Sequence, residues 1–242
     1  MKRYLIAGLL VFIVVLVTTF PAGVAYRWFA PADIQLSGIS GSIWSGSASE
    51  GLAAGAYFRD LSWRLKPGQL LTGKLAFETD SSPASGRLHT DVAMGIDGRL
   101  TLSGLSGHLP LDLAHPAFQQ NGIRGDLELQ FERLVLDNGL PVDAQGSVTV
   151  SSFFVPTLSA GVLGDYRAEF QTTDNGITGS LDDLAGVLDV AGVITLAPDR
   201  SYVLTGEVAA RPGAPPSVDQ QLRMLGSPDE RGQRPFRFEG SL

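Results

Sequence analysis

The chain has 242 residues, of which 44% are hydrophobic, so it can bury a sizeable core and global disorder is excluded. Its formal net charge of −7 disfavours nucleic acid as a partner, because the phosphate backbone is itself anionic. It contains no cysteine, which excludes disulfides, thiol nucleophiles, cysteine-based metal sites and acylation at a cysteine.

The chain begins with an apolar segment that carries no charge from Leu5 to Ala25. At about 1.5 Å per residue, a helix of that length covers the ~30 Å core of a bilayer. Lys2 and Arg3 precede it, which predicts a cytoplasmic N-terminus over residues 1–4, a transmembrane helix over 5–25 and an exported domain over 26–242. The residues expected to hold this anchor in the membrane are Leu5, Ile6, Leu9, Leu10, Phe12, Ile13, Leu16 and Phe20, with Trp28 at the headgroup level.

The same segment also fits a cleaved signal peptide. Gly23 and Ala25 are small residues at a spacing that a signal peptidase accepts, and the mature chain would then begin at Tyr26. The segment exceeds the usual apolar region of about 7 to 15 residues, which favours an uncleaved anchor. Both interpretations place the rest of the chain outside the cytoplasm.

The stretch "LSGISGSIWSG", from Leu36 to Gly46, sets one tryptophan, Trp44, among serines and glycines. Small residues of this kind suit a tight hairpin at the start of the exported domain. Trp44 is expected to pack in the core or at a sheet edge, with contact to a partner as the alternative.

Beyond Asp33 the hydrophobic pattern has a period of two. The stretch "GDLELQF" sets Leu127, Leu129 and Phe131 against polar neighbours, and "DLSWRL" repeats the alternation around Trp63. Such alternation is typical of antiparallel strands with one face on a core and the other in water. Glycines within the strands indicate bulges and bending. We therefore expect an all-β fold, an antiparallel and strongly curved sheet that forms a β-roll or incomplete barrel.

Two elements near the C-terminus are predicted individually. The range 186–209 reads as a hairpin that turns at "APDRS", with the residues from Leu188 to Leu196 in one arm. A short helix follows: Ser217 would cap it in a capping box with Gln220, its apolar side would hold Val218, Leu222 and Leu225, and Gly226 would end it.

The sequence carries little recognisable chemistry. The motifs G-x-S-x-G, S-x-x-K, G-x-G-x-x-G and the P-loop are missing. His108, Asp112 and His115 come nearest to a metal cluster, but Pro110 and Pro116 argue against a helix that would bring them together. We therefore expect no catalytic residue, no metal and no cofactor.

Four stretches carry a resemblance to a known family. They are "LSGISGSIWSGSA" at 36–48, "LSWRLKPGQLLTGKLAFE" at 61–78, "GDLELQFERLVLDNGLPVDAQGSVTV" at 125–150 and "LRMLGSPDERGQRPFRFEGSL" at 222–242. In this order after an N-terminal apolar segment, they resemble the protein N family of the type II secretion system, also called general secretion pathway protein N. The motif residues expected to be structural are Gly38, Gly41, Trp44, Gly46, Trp63, Gly146, Leu225 and Gly226.

The resemblance implies a single-pass inner-membrane protein with most of its chain in the periplasm of a Gram-negative bacterium. Its role would be to support the assembly or stability of the apparatus that exports folded proteins across the outer membrane. The implied partners are other inner-membrane subunits of that apparatus, and the family is not an enzyme. The alternative is an AsmA-like periplasmic module that binds or transfers lipid in a groove lined by Leu127, Leu129, Ile194 and Leu204.

Overall fold

The computed structural model describes residues 2–29, 34–53, 56–70, 73–83, 86–95, 97–113 and 116–241. Strands make up most of these ranges, and the helices are short apart from the first. The helices are α1 (Lys2–Thr18), α2 (Ala22–Phe29), α3 (Pro67–Leu70), α4 (Pro116–Gln120) and α5 (Pro216–Leu222). The strands are β1 (Ile34–Ser37), β2 (Ser40–Gly41), β3 (Ser45–Ala53), β4 (Ala56–Leu65), β5 (Leu75–Ser82), β6 (Arg87–Met94), β7 (Leu100–Pro110), β8 (Arg124–Asp137), β9 (Leu140–Phe154), β10 (Gly164–Thr173), β11 (Gly176–Gly186), β12 (Leu188–Leu196), β13 (Ser201–Ala210) and β14 (Arg234–Ser241).

The described strands form one antiparallel sheet in which neighbours in sequence are neighbours in space. The order is β1, then β3 through to β14, and β2 pairs with β3 beside β1. Among the described residues no pairing joins β1 to β14, so the sheet is open. The antiparallel all-β class is confirmed, whereas the strongly curved roll or incomplete barrel stays a prediction.

The strand registers collect the apolar side chains on one face of the sheet. Leu129 of β8 lies opposite Val148 of β9, and Leu105 of β7 lies opposite Phe131 of β8. Since directly opposite residues of antiparallel strands point to the same side, these pairs share a face. A core cluster forms there around Leu105, Phe131, Ala144 and Ile177.

The predicted hairpin is confirmed in its register. β12 and β13 pair so that Val190 lies opposite Val208 and Ile194 opposite Leu204. The turn between them spans the residues after Leu196, where the backbone N–H of Arg200 donates to the carbonyl oxygen of Ala197 at 3.0 Å.

The predicted C-terminal helix exists, but its cap differs from the prediction. α5 begins at Pro216, and no side chain caps its N-terminus, so the capping box of Ser217 and Gln220 is wrong. Ser217 already lies inside the first turn, because Pro216 has a backbone suited to the first helical position. Val218 and Leu222 are buried against Leu163, Leu188 and Val208, so α5 covers apolar sheet surface as expected.

The single helix predicted from Leu5 to Ala25 is divided in two. α1 ends at Thr18 and α2 begins at Ala22, and Pro21 between them forms a β-bridge with Ser42. A proline lacks the N–H that a continuous helix needs, and it also disfavours helical backbone at the preceding residue. Within the described ranges, no helix combines the length and the apolar character needed to traverse a bilayer.

Candidate functional site

The motif around Trp44 forms the joint between the N-terminal helices and the sheet. The indole N–H of Trp44 donates to the carbonyl oxygen of Val17 in the last turn of α1 at 2.7 Å. The backbone N–H of Ile43 donates to the carbonyl oxygen of Phe20 at 3.0 Å. The carbonyl of Val17 also accepts the backbone N–H of Phe20 at 3.4 Å, and carbonyls near a helix end lack the full set of helical partners, so the indole of Trp44 supplies a shorter bond there. Trp44 therefore holds α1 against the sheet, which its sequence context did not predict.

A second tryptophan braces the same loop from the sheet. The indole N–H of Trp63 on β4 donates to the carbonyl oxygen of Ser42 at 3.2 Å. Its ring lies over Gly46, where an added Cβ would stand 2.5 Å from Trp63 Cζ2. Glycine at this position of β3 is thus required by the close approach of the ring. The serines and glycines of the motif form the hairpin of β2 and β3, and Gly46 also admits the ring of Trp63.

α2 covers the N-terminal edge of the sheet. The hydroxyl oxygen of Tyr26 accepts a hydrogen bond from the backbone N–H of Leu36 on the edge strand β1, at 2.9 Å. Pro21 and Ser42 form their bridge beside β2. An edge strand exposes backbone donors and acceptors that can pair with another chain, and these contacts occupy part of that edge.

The opposite edge has no such cover in the described part of the chain. β14 pairs with β13 along its whole length, from Arg234 opposite Val208 to Ser241 opposite Ser201. No described strand lies on its other side. Most residues of β14 are exposed, and they include the apolar side chain of Phe238.

Comparison with known proteins decides the family. A family model described as type II secretion system (T2SS), protein N, matches residues 32–237. The chain belongs to this family. A type II secretion system protein N of Aeromonas hydrophila is 24% identical over 260 residues, covering 100% of this chain and 99% of the relative. A protein of the same name from Vibrio cholerae serotype O1 is 27% identical over 257 residues, covering both chains completely. No solved structure gives a significant match.

The backbone angles or close packing of three further glycines of the family motifs account for glycine at those positions. Gly38 lies between β1 and β2 and Gly41 ends β2, with φ angles of +64° and +84° that favour glycine. Gly146 on β9 lies beneath the ring of Phe131, where an added Cβ would come within 2.7 Å of Cδ1. Leu225 is exposed in the 3-10 turn after α5.

Gly226 belongs to a clamp around α5. Its carbonyl oxygen accepts a hydrogen bond from Nε of Arg234, at 3.2 Å. The guanidinium of Arg234 is nearly buried and also lies 3.8 Å from Asp219 Oδ1 on α5. The first residue of β14 thereby fixes the segment that follows the helix.

Among the described side chains predicted to anchor the chain in a membrane, four are exposed. Phe12 is 62% exposed and Trp28 is 68% exposed, and Leu9 and Leu16 also face outward. Phe20 contacts Trp28 with ring centroids 6.0 Å apart. Leu5, Ile6, Leu10 and Ile13 belong to α1.

The residues named for a lipid groove share one face of the sheet. Leu127 is buried, and Leu129 is half-buried opposite Val148. Ile194 and Leu204 are half-buried and lie opposite each other on β12 and β13. The face is apolar as expected, and an apolar cavity lies nearer the N-terminal end of the sheet.

Two polar contacts lie near the N-terminal end of the sheet. Asp80 Oδ1 lies 2.7 Å from His89 Nδ1, and Asp91 forms an ion pair with Lys66 at 2.5 Å. Within the described ranges no three histidine or acidic side chains converge as a metal site would require. His115 lies outside the described residues.

One buried ion pair was not foreseen. The side chain of Asp183 on β11 is 5% exposed, and its Oδ2 lies 2.5 Å from Nη2 of Arg211, which follows β13. Its Oδ1 accepts the backbone N–H of Val190 on β12 at 2.8 Å. Burial, and after it the charge of Asp183, raises the pKa of the neighbouring Tyr166 to about 12. The sequence alone does not show that Arg211 lies beside Asp183, because the two are 28 positions apart along the chain.

Proposed function

We propose that this chain is a non-enzymatic component of type II secretion that joins the inner membrane to other subunits of the apparatus. Residues 1–4 would lie in the cytoplasm and the rest of α1 in the inner membrane, and α2, which packs on the sheet, would lie with it in the periplasm. The sheet would support assembly or stability of the apparatus by pairing its β14 edge with a strand of another inner-membrane subunit. The observation that carries this proposal is the contrast between the covered β1 edge and the open β14 edge.

Attachment to a membrane is supported by the surface of α1. Its outward-facing side chains Leu9, Phe12 and Leu16 are apolar, and exposing them to water is unfavourable by about 25 cal/mol per Å². A bilayer removes that cost. The bond from Trp44 to Val17 transmits the position of α1 to the sheet, so an inserted α1 would hold the sheet at the periplasmic surface.

Docking at β14 is supported by the backbone of the strand. Pro235 lies opposite Glu207 and has no N–H, so that position does not bond to β13 and its backbone faces the open side. Residues two apart in a strand share this orientation, so the N–H groups of Arg237 and Glu239 also face outward. An added strand would find these donors in place.

The experiment compares Glu239→Pro with Glu239→Ala in the full-length chain. Proline removes an outward N–H and obstructs an incoming strand, while the ladder from β14 to β13 is kept. In a strain that lacks the wild-type chain, E239P should leave exoproteins in the periplasm as the deletion does, and E239A should restore export. Normal export with E239P would refute docking at this edge.

The chain also allows a direct check, because it contains no cysteine of its own. A single Arg237→Cys variant should form a crosslink to another inner-membrane subunit in intact cells. The matched Arg64→Cys variant, on an interior strand, should not. Equal crosslinking from both positions would show that the contact is not specific to the β14 edge.

A further inference from the structure

An open apolar cavity lies on the surface between α2 and the first strands of the sheet. Its volume is about 360 Å³, within the range of small-molecule sites. α2 supplies Ala22 and Tyr26 on one side, and the strands supply Trp63, Phe77 and Val92 on the other. Neither the family nor the named relatives assign a ligand to this place.

The polar atoms beside the cavity already have partners. The hydroxyl of Thr79 donates to the carbonyl oxygen of Thr90 at 2.9 Å. The hydroxyl oxygen of Tyr26 accepts the N–H of Leu36, and the indole N–H of Trp63 donates to Ser42. Water over this apolar lining finds few polar partners, so covering the lining with an apolar occupant is favourable.

The lining also discriminates between kinds of apolar occupant. A peptide segment would bring one N–H and one C=O for each residue, and burying them without partners costs several kcal/mol per group. A saturated hydrocarbon chain carries no such groups. The chemistry of the cavity therefore fits an acyl chain better than a segment of protein.

The position of the cavity provides a source for such a chain. Ile43 lines the cavity, and its backbone N–H bonds to Phe20 directly after α1. The next residue, Trp44, bonds to Val17 within α1. The cavity thus adjoins the end of a helix that exposes Phe12 and Leu16 to its surroundings.

We propose that this cavity binds one acyl chain of a membrane phospholipid, inserted beside the end of α1 and packed between α2 and the ring of Trp63. Only the source of the lipid rests on the proposed membrane attachment. Binding of the chain rests on the apolar lining, so the site can be tested without a secretion readout.

The test uses the fluorescence of Trp63 in the full-length chain. Trp28→Phe and Trp44→Phe leave Trp63 as the one tryptophan, because the sequence holds three. Since Trp44→Phe also removes the bond to Val17, the quenching of Trp63 is measured a second time as the difference between the wild-type chain and Trp63→Phe, both of which keep that bond. The protein is reconstituted in phosphatidylethanolamine and phosphatidylglycerol vesicles whose acyl chains are brominated at mid-chain. Bromine quenches on contact, so we expect Trp63 to lose at least half of its emission relative to vesicles with unbrominated chains.

Two cavity-filling variants locate the quencher. Ala22→Phe fills the cavity from α2 and Val92→Phe fills it from the sheet, and each should abolish the quenching. Leu184→Phe adds the same ring at a position that is 56% exposed and outside the cavity, and it should leave the quenching unchanged.

Three results would overturn the proposal. Emission equal in brominated and unbrominated vesicles would mean that no acyl chain reaches Trp63. Quenching that persists in both filled variants would place the lipid elsewhere. Absence of quenching together with a dimer on sizing would make a second copy of this chain the occupant. The export assay of the β14 variants is independent, so loss of quenching leaves that proposal standing.

Discussion

The ion pair of Asp183 and Arg211 predicts two substitutions of unequal effect. The carboxylate is buried: its Oδ2 forms an ion pair with Nη2 of Arg211, and its Oδ1 accepts the backbone N–H of Val190. Arg211→Ala leaves a buried carboxylate without its cation, and removing one partner of a buried pair costs about 3 to 5 kcal/mol. Asp183→Asn leaves no buried charge and keeps an oxygen for Val190. The guanidinium of Arg211 is 40% exposed and can be hydrated, so we expect a loss of about 1 kcal/mol.

The assay is urea unfolding of the full-length chain in mild detergent, followed by tryptophan fluorescence at pH 7. The midpoint should fall for Arg211→Ala by about three times as much as for Asp183→Asn, with an unchanged dependence on urea. The double variant should be closer to Asp183→Asn than to the sum of the two, since the residues interact directly. If Asp183→Asn destabilised the chain as much as Arg211→Ala, the assignment of the cost to an unpaired buried charge would be refuted.

Three further predictions concern the joint, the core and pH. Trp44→Phe removes the hydrogen bond to Val17 and should lower the unfolding free energy by about 1 kcal/mol in the same urea assay. An unchanged midpoint would show that this bond does not stabilise the contact between α1 and the sheet. Leu163→Ala, at a side chain 1% exposed, should cost about 2 to 5 kcal/mol. The control Leu184→Ala should stay within about 0.5 kcal/mol, and equal losses would refute the core assignment. The raised pKa of Tyr166 keeps its proton in the folded chain where the unfolded chain loses it, so stability should fall as pH rises from 10 towards 12. The unfolding free energy of Tyr166→Phe should not show that decline. If the free energies of the wild type and the variant fell equally over this pH range, the raised pKa of Tyr166 would be contradicted.

The sequence predicts well those features that depend on short stretches. The hairpin of β12 and β13 follows from alternation around one turn, and the structure pairs Ile194 with Leu204 as the pattern requires. The apolar side of α5, with Val218 and Leu222, follows from helical spacing in the same way. In both cases the information lies within about twenty residues, where local propensity and packing agree.

The sequence does not predict contacts that depend on the position of α2 or on strands far apart in the chain. The uniformly apolar segment from Leu5 to Ala25 predicts one helix. In the structure Pro21 separates α1 from α2, and α2 turns back onto the sheet. The cavity and the Tyr26 bond follow from that turn. The Asp183 pair depends on three adjacent strands bringing Arg211 to it. A hydrophobic period of two predicts which face of the sheet a side chain lies on, but it does not predict which side chains of other strands lie beside it.

The linear strand order places the two proposed sites far apart. Thirteen strands lie on the path from β1 to β14, and at about 4.8 Å between neighbours the two edges are separated by roughly 58 Å measured along the sheet. The acyl-chain cavity lies at the β1 end, beside α1, and the open edge lies at the other. Under the proposed attachment at α1, and with the sheet extended rather than rolled, a partner that pairs with β14 would offer its strand in the periplasm rather than within the bilayer. Crosslinks from β14 should accordingly map to the periplasmic part of that partner, and a map to its membrane-spanning part would contradict this arrangement.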